Sequence, residues 1–439
     1  MSPTRREFLD RVAGGSTLVG VASASATLAG CLSLEFGGDD PPPVDVEPGE
    51  RARIAAIEPP ELHDELLFEV TEDHFDEHRR RVQTLLDDVP PEPRGIPNEA
   101  VRNYVSSSRS DASADLSRAS EREGARRTLS SLRNARGDAA SAEGAYAAAH
   151  GERTREDVFD AAGPVSDRRS ATKSNLKRIG DTARHAVLVY GDLEERLQAA
   201  TRHLDRTDRI QPATSEVTAV GEAAKRLESA RAELDIVDHV TSRRTGERTF
   251  DDAFERTVGK LRTDVEDRID VLPADRESAG NDLFDRSVEG TPREEIAATI
   301  HHLSEWNSIA DVDEHVEAGR IARGLLGLFA IDHLVRTTDW LQRRVAEGAF
   351  DRPERGQAVR DLKQTAVDSI ATALDSANYP RLARLRLLEA ERSVSGGDRL
   401  IDGTSSRSLA VRAPGRYAVA TAQARTVRDS AAWFVENLP

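Results

Sequence analysis

The chain has 439 residues, of which 78 are acidic and 61 basic, and its formal net charge is −17. Binding to nucleic-acid phosphates requires a basic face, and charge alone repels an acidic chain from an anionic membrane surface. The composition therefore argues against nucleic acid as a partner and against a membrane contact made by charge.

The first 31 residues have the features of an export signal. A basic pair, Arg5 and Arg6, precedes a weakly apolar run over residues 12–28, and small residues lead to Cys31. A charged start, a modest apolar run and small residues at a cleavage point are typical of such signals. The run is too rich in Gly, Ser and Thr for a transmembrane helix, which needs about 20 strongly apolar residues.

Two motifs in this segment carry a resemblance to a known class. The stretch TRREFL resembles the signal read by the twin-arginine export machinery, and LAGC (residues 28–31) resembles a lipobox. The residues that carry the first resemblance are Arg5, Arg6, Phe8 and Leu9. The resemblance implies a signal peptide over residues 1–30, that machinery as a partner, a lipid on Cys31, and a place on the outer face of the cell membrane.

The composition of the whole chain resembles that of haloarchaeal proteins. Acidic residues are in excess, only five lysines accompany 56 arginines, and aromatic residues are 4% of the chain. In molar salt the Debye length falls to about 3 Å, which screens the self-repulsion of so many acidic groups. We therefore expect a halophilic, archaeal-type protein.

Cys31 is the only cysteine of the chain. If it carries a lipid, the body has no thiol for a disulfide, a thiolate metal site or a cysteine nucleophile. The Gly-, Pro- and acid-rich stretch that follows predicts a disordered tether, and we assign residues 31–53 to the lipidated cysteine and this tether.

The body has the pattern of long helices. Apolar residues recur at steps of three and four over residues 176–204, 217–237 and 250–272, and residues 320–347 form the most apolar stretch. Prolines are expected at the ends of such helices. The prolines so interpreted are Pro164, Pro212, Pro273, Pro292, Pro353, Pro380 and Pro414.

These patterns predict an all-α fold of about ten long helices in an antiparallel, bundle-like assembly. The turn-rich loop at residues 273–291 is the best internal boundary, which gives an N-terminal helical region over residues 54–272 and a C-terminal one over residues 273–439. The stretch 408–420 is expected to be a loop that enters the last helix, with a hairpin around Pro414 as the alternative.

The segment HFDEH matches the His-x-x-Glu-His pattern of the insulinase-type zinc peptidases. On a helix, His74 and His78 share one face and could bind zinc, with Glu77 as the catalytic base. Those enzymes are α/β proteins, whereas this body has few strand signals. The alternative is an exposed or half-buried amphipathic face.

Two other groups of residues invite a chemical interpretation. Ser170 and Lys173, and again Ser174 and Lys177, match Ser-x-x-Lys, but the Lys-Thr-Gly strand of penicillin-binding proteins is absent from the sequence. A second group lies near Trp306 and would form a ligand or metal pocket, or else ordinary helix contacts. Its members are His301, His302, Glu305 and His315.

No motif predicts a catalytic set, so we expect a non-enzymatic surface protein that binds a protein or a solute, or has a structural role. One alternative is an extracytoplasmic metal-dependent hydrolase that uses His74, Glu77 and His78. Another is a helical metal- or solute-binding protein that serves a transporter. No cofactor is predicted, and zinc at His74 and His78 is the one that stays open.

Overall fold

Helices make up nearly all the regular structure of this protein, for which we have a computed structural model. It describes residues 44, 49–62, 66–121, 124–207, 215–244, 246–273, 279–285, 287–401 and 407–439. The expected lipidation and export-signal residues, Cys31, Arg5, Arg6, Phe8 and Leu9, lie outside this described part. The all-α, bundle-like fold that the sequence predicts is confirmed.

The first half of the chain forms eight helices among its described residues. They are α1 (Glu50–Ala55), α2 (Glu72–Asp87), α3 (Glu99–Glu121), α4 (Ala125–Ala149), α5 (Arg155–Asn175), α6 (Ala183–Thr207), α7 (Glu216–Ser242) and α8 (Asp251–Glu266). A short 3₁₀ turn, Ile269–Val271, follows α8.

The second half continues in the same way. Its described helices are α9 (Ala279–Leu283), α10 (Pro292–Trp306), α11 (Ile309–Glu317), α12 (Ile321–Ala346), α13 (Gly356–Ser376), α14 (Pro380–Ile401) and α15 (Ala413–Asn437). A π-helical turn, Ser408–Arg412, leads into α15, so residues 408–420 form neither the expected loop nor the alternative hairpin.

The apolar stretch 320–347 becomes α12, the central helix of the C-terminal half. Leu325, Leu328 and Ile331 on this helix are fully buried. The helix packs against α6 and α8 from the first half and against α10, α11 and α15 from the second. From Ile321 to Thr338 no residue of this helix is exposed, so neighbouring helices surround it there and it ties the two halves together.

The N-terminus of α12 is capped by a side chain from the first half. Glu194 of α6 accepts hydrogen bonds from the backbone N–H groups of Ala322 (3.4 Å) and Arg323 (2.7 Å). Arg178 donates from Nε to the same carboxylate at 2.8 Å and from Nη2 to the carbonyl of Gly319 at 2.6 Å. The first amides of a helix have no partner within the helix and favour a negative charge, which Glu194 supplies.

The predicted helix over 176–204 is wrong at its start. The chain leaves α5 after Asn175 and forms a two-residue strand, β1 (Ile179–Gly180), before α6. This strand pairs antiparallel with β2 (Arg248–Thr249). Gly246 has φ = 108° and lies against Gly180, where a Cβ atom would come within 2.6 Å of backbone, so this close crossing requires glycine.

Pro164 does not end a helix, contrary to the proline pattern. It lies inside α5, which runs from Arg155 to Asn175. A proline inside a helix leaves the carbonyl four residues earlier without its donor. Here both Pro164 and Asp160 are exposed, so water can satisfy the freed carbonyl. Pro212 lies outside the described residues, whereas Pro292 and Pro380 do begin helices as predicted.

The segment expected to be a tether is ordered at its end. Helix α1 begins at Glu50, inside the predicted tether of residues 31–53, because Ile54 is fully buried and the Glu50 carboxylate pairs with Arg360 at 3.0 Å. Val44, Ile54 and Leu62 share an apolar cluster with α13, α14 and α15, whereas the chain from Leu66 onward packs in the cluster of the first half.

Within the described residues, no helix is both long enough and apolar enough to cross a bilayer.

The cap on α12 gives the first prediction. Glu194→Ala leaves Arg178 and the first amides of α12 buried without their main anionic partner, and breaking a buried ion pair in this way costs about 3 kcal/mol or more. We expect the free energy of unfolding, measured with urea in molar KCl, to fall by at least that amount. Glu195→Ala, at the neighbouring half-exposed position, is the control and should change it by less than about 0.5 kcal/mol. Equal effects of the two substitutions would contradict the capping role.

Candidate functional site

The HFDEH motif lies at the beginning of α2, and the helix turns both histidines inward. His74 and His78 are 3% and 1% exposed. Their Nε2 atoms lie 3.2 Å apart, and their rings meet edge to face with centroids 4.6 Å apart. The exposed or half-buried face that the sequence offers as an alternative is therefore wrong, since the apolar residues of this face are buried as well. They are Phe75, Val82, Leu85 and Leu86.

The neighbours of these rings determine where their protons lie. Arg136 of α4 places Nη1 3.3 Å from Nδ1 of His78. A guanidinium only donates, so Nδ1 accepts and the proton of neutral His78 lies on Nε2. That proton points to Nε2 of His74, which must then accept, and the proton of His74 lies on Nδ1.

Arg136 also connects its own helix, α4, to α7. Its Nε and Nη2 donate to Oε1 of Glu228 at 2.9 and 2.7 Å, and Nη1 donates to Oδ2 of Asp235 at 2.8 Å. Both acceptors lie on α7. Glu228 also accepts from Arg81 of α2 at 3.1 and 3.0 Å. We call these six residues the histidine–arginine cluster: His74, His78, Arg81, Arg136, Glu228 and Asp235.

A third histidine lies beside the cluster. The ring of His239, near the end of α7, stacks on His74 with centroids 4.2 Å apart and an angle of 24° between the planes. Its Nε2 accepts from the backbone N–H of Thr71 at 3.4 Å. The His239 ring thus fixes the backbone of Thr71, the residue that precedes α2.

The electrostatics of the cluster keep its histidines neutral. Burial, with help from His239, lowers the pKa of His74 to about 4. Burial and the neighbouring Arg136 lower the pKa of His78 to about 3. Burial alone would raise the pKa of Glu228, but Arg81 and Arg136 bring it down to about 2. At neutral pH the cluster therefore contains neutral rings between paired ions.

Glu77 does not accompany the histidines into the interior. Its side chain is 63% exposed, and its Oε2 lies 3.7 Å from Nδ1 of His74. A metal shared by the two histidines would lie at their Nε2 atoms, on the opposite edge of the His74 ring. The described residues contain no group of three or more His, Cys, Asp or Glu side chains arranged to hold a metal ion.

Of the other predicted groups, the Ser-x-x-Lys pair is exposed, and the group near Trp306 is brought together only in part. Ser170 and Lys173 lie on the exposed side of α5, and the Ser170 hydroxyl donates to the carbonyl of Ser166 at 2.9 Å. His301 and His302 each lie near Glu305, at 3.8 and 3.7 Å.

The remaining member of the second group, His315 of α11, faces a different partner. Its Nδ1 accepts from Nε of Arg320 at 3.2 Å. Burial, and then Arg320, lower its pKa. Trp306, at the end of α10, is 73% exposed. Its ring and that of His302 meet edge to face, with centroids 6.1 Å apart.

Sequence reasoning missed the partners of the histidines. Arg136, Glu228 and Asp235 are 58 to 157 residues from His78 along the chain, and no local spacing links them. Charged residues are frequent along both α4 and α7, so the sequence around Arg136 and Glu228 gives no signal that these two side chains are buried.

Comparison with known proteins gives two matches to families. Residues 73–252 match a family described as Domain of unknown function (DUF8262), and residues 251–436 match one described as Domain of unknown function (DUF8264). The two matched regions meet at the start of α8. No curated protein and no solved structure matches the chain.

The neutral histidines predict a loss of stability in acid. The folded pKa of His78 is about 3, below its ordinary value of 6.5. The unfolded chain therefore binds the proton first, and stability is full above pH 6.5 and falls as the pH drops from there towards 3. From pH 7 to 5 this histidine should cost about 2 kcal/mol.

We expect urea unfolding in molar KCl to show a smaller loss between pH 7 and 5 in His78→Gln than in the wild type, by about that amount. His302→Gln, at a position 60% exposed, is the control and should keep the wild-type dependence. If His78→Gln lost as much unfolding free energy between pH 7 and 5 as the wild type, the assignment of His78 as a buried neutral histidine would be contradicted.

Proposed function

We propose that the chain is an exported, lipid-anchored helical protein of the cell surface whose role is binding or structural rather than catalytic. The observation that supports the non-catalytic role most directly is the histidine–arginine cluster. Its polar groups are buried and directed at one another, and they join α2, α4 and α7. Catalysis requires polar groups that converge on a point a substrate can reach, whereas these stabilise helix contacts.

The same geometry weighs against the zinc hydrolase alternative. A zinc ion would need the Nε2 lone pairs of both His74 and His78. Because Arg136 donates to Nδ1 of His78, the proton of that ring lies on Nε2, where the metal would have to bind. The exposed Glu77 is also on the wrong side of His74 to activate a water on such a metal.

The anchor is part of the proposal and is supported by the sequence. Cys31 ends the LAGC motif and is the only cysteine, and the segment that precedes it, with the arginine pair near its start, has the length of about 15–30 residues typical of a signal peptide. In the same proposal the acidic, lysine-poor composition suits an archaeal protein that works in molar salt.

The first experiment measures metal in the protein purified at high salt without chelators. We expect no stoichiometric zinc, and His78→Gln should have the same metal content as the wild type. Zinc that is stoichiometric in the wild type, lost in His74→Ala and His78→Ala, and kept without hydrolytic activity in Glu77→Gln would overturn the proposal in favour of the hydrolase.

The second experiment tests the anchor through Cys31. Serine cannot replace the thiol that takes the lipid, so Cys31→Ser protein should leave the membrane fraction or persist as an uncleaved precursor. Ser33→Ala is the control and should stay in the membrane. Replacing Arg5 and Arg6 by lysine should instead keep the protein in the cytoplasm, because the exporter reads the arginine pair.

Circular dichroism of the recovered proteins should match the wild type, because Cys31 serves only the anchor in this proposal. Cys31→Ser protein that is cleaved and still fractionates with the membrane would contradict the lipid anchor.

A further inference from the structure

A short segment at the beginning of the described body packs on the far half of the chain. This segment, residues 49–62, contains α1, and we call it the N-terminal arm. Ile54 and Leu62 are 0% and 4% exposed within the apolar cluster of α13, α14 and α15. The arm precedes both regions that match families, yet it contacts the second of them and the chain then enters the first.

A buried lysine holds the arm in place. Lys363 of α13 is 1% exposed, and its Nζ donates to the backbone carbonyl of Ile54 at 2.8 Å. The same Nζ lies 2.8 Å from Oδ1 of Asp398, which also accepts from the hydroxyl of Tyr417 at 2.7 Å. Because an ammonium group has three donors, one lysine serves both the arm and the core.

A second ion pair holds the beginning of the arm. Glu50, the first residue of α1, lies 3.0 Å from Nη1 of Arg360, one helical turn before Lys363 on α13. Its carboxylate also accepts from Arg53 at 2.9 Å. The groove between α13 and α14 therefore recognises a short helix by an acidic first residue, a buried aliphatic fifth residue and the carbonyl of that fifth residue.

We propose that the N-terminal arm is a releasable latch, docked in this groove in cis, which sets how closely the body is held to its membrane anchor. This rests on the proposed anchor at Cys31. When docked, the arm fixes its attachment point to the C-terminal half of the body. When the arm is released together with Val44, which lies in the same apolar cluster, its 14 residues add up to about 45 Å of extended chain between the anchor and the body.

The contacts of the groove explain why release leaves the core intact. When the arm departs, Lys363 loses one acceptor but keeps Asp398, and Asp398 keeps Tyr417. No buried charge is left without a partner, which is the usual reason that removal of a segment unfolds a core. The arm itself has one helix of six residues, which is too short to persist without the groove.

Hydrogen exchange of the purified full body in molar KCl tests the latch. In the wild type, amides of residues 50–57 should exchange faster than those of α13 and α14, because the arm opens below global unfolding. In Ile54→Asp they should exchange at least ten-fold faster still, with α7 and α12 unchanged. Ala55→Asp places the same charge at the adjacent exposed position and should match the wild type.

Three results would overturn the latch. One is exchange of the arm in the wild type at the rate of α13 and α14. Another is equal acceleration over residues 363–427 in Ile54→Asp, or its failure to fold, since either makes the arm an inseparable part of the core. The third is a dimer in which arms dock between copies, measured by light scattering.

A vesicle experiment separates this proposal from that of the anchor. Arg51 and Arg53 are the first two arginines after Cys31. A protease that cleaves after arginine should release the body of lipidated Ile54→Asp from phospholipid vesicles at least ten-fold faster than that of Ala55→Asp. Equal rates would contradict the latch. If the protein never binds vesicles, the anchor fails, while the hydrogen-exchange result still decides whether the arm opens.

Discussion

The architecture depends on one buried carboxylate at the junction of the two halves. Glu194 is 1% exposed and holds the first amides of α12, the helix around which the C-terminal half is built. Burial raises the pKa of this carboxyl, and Arg178 and the amides offset only part of that effect. Arg178 also pairs with Asp251 at 2.8 Å, beside the point where the two family matches meet. The contact of α6 with the beginning of α12 therefore depends on satisfying this charge.

Each half repeats one polar device within its core. In the first half Arg136 donates to Nδ1 of His78, and in the second Arg386 donates from Nε to Nδ1 of His333 at 3.3 Å. His333 then donates from Nε2 to the carbonyl of Gln423 at 2.8 Å, and burial followed by Arg386 lowers its pKa to about 3. In both cases the arginine fixes the tautomer, so the ring serves as a neutral connector with one donor and one acceptor.

Local patterns in the sequence predict the elements of this fold but not how they meet. The seam over residues 250–272 places Phe254, Val258 and Leu261 on the buried face of α8, because a helical period depends only on neighbouring residues. The end of the helix at Asn175 does not show in this local pattern, because β1 forms only by pairing with residues 248–249, far along the chain. The prediction that Pro164 ends a helix is wrong, because the free-energy cost of a proline inside a helix depends on whether the freed carbonyl reaches water. Only the packed structure determines that.

The candidate site was predictable to the same extent. The i, i+4 spacing placed His74 and His78 on one face, and the structure does bring their rings together. Their chemistry was not predictable, because it is set by a proton that Arg136 positions from another helix. A metal pattern defined by two histidines and a glutamate contains no information on which ring nitrogen is free.

The distribution of cations connects this interior to the acidic composition. In the described residues the buried cations are Arg136, Arg178, Arg293, Arg386 and Lys363. Arginine presents a planar fork to two acceptors at once, and Arg136 and Arg178 each use it to join two carboxylates. Salt screens exposed pairs much more strongly than buried ones. If the chain works in molar salt, these interior pairs retain their attraction, while screening removes the mutual repulsion of the surface carboxylates. Molar salt would therefore act mainly on the surface carboxylates, where screening of their repulsion favours the folded body, and would leave the interior pairs almost unchanged.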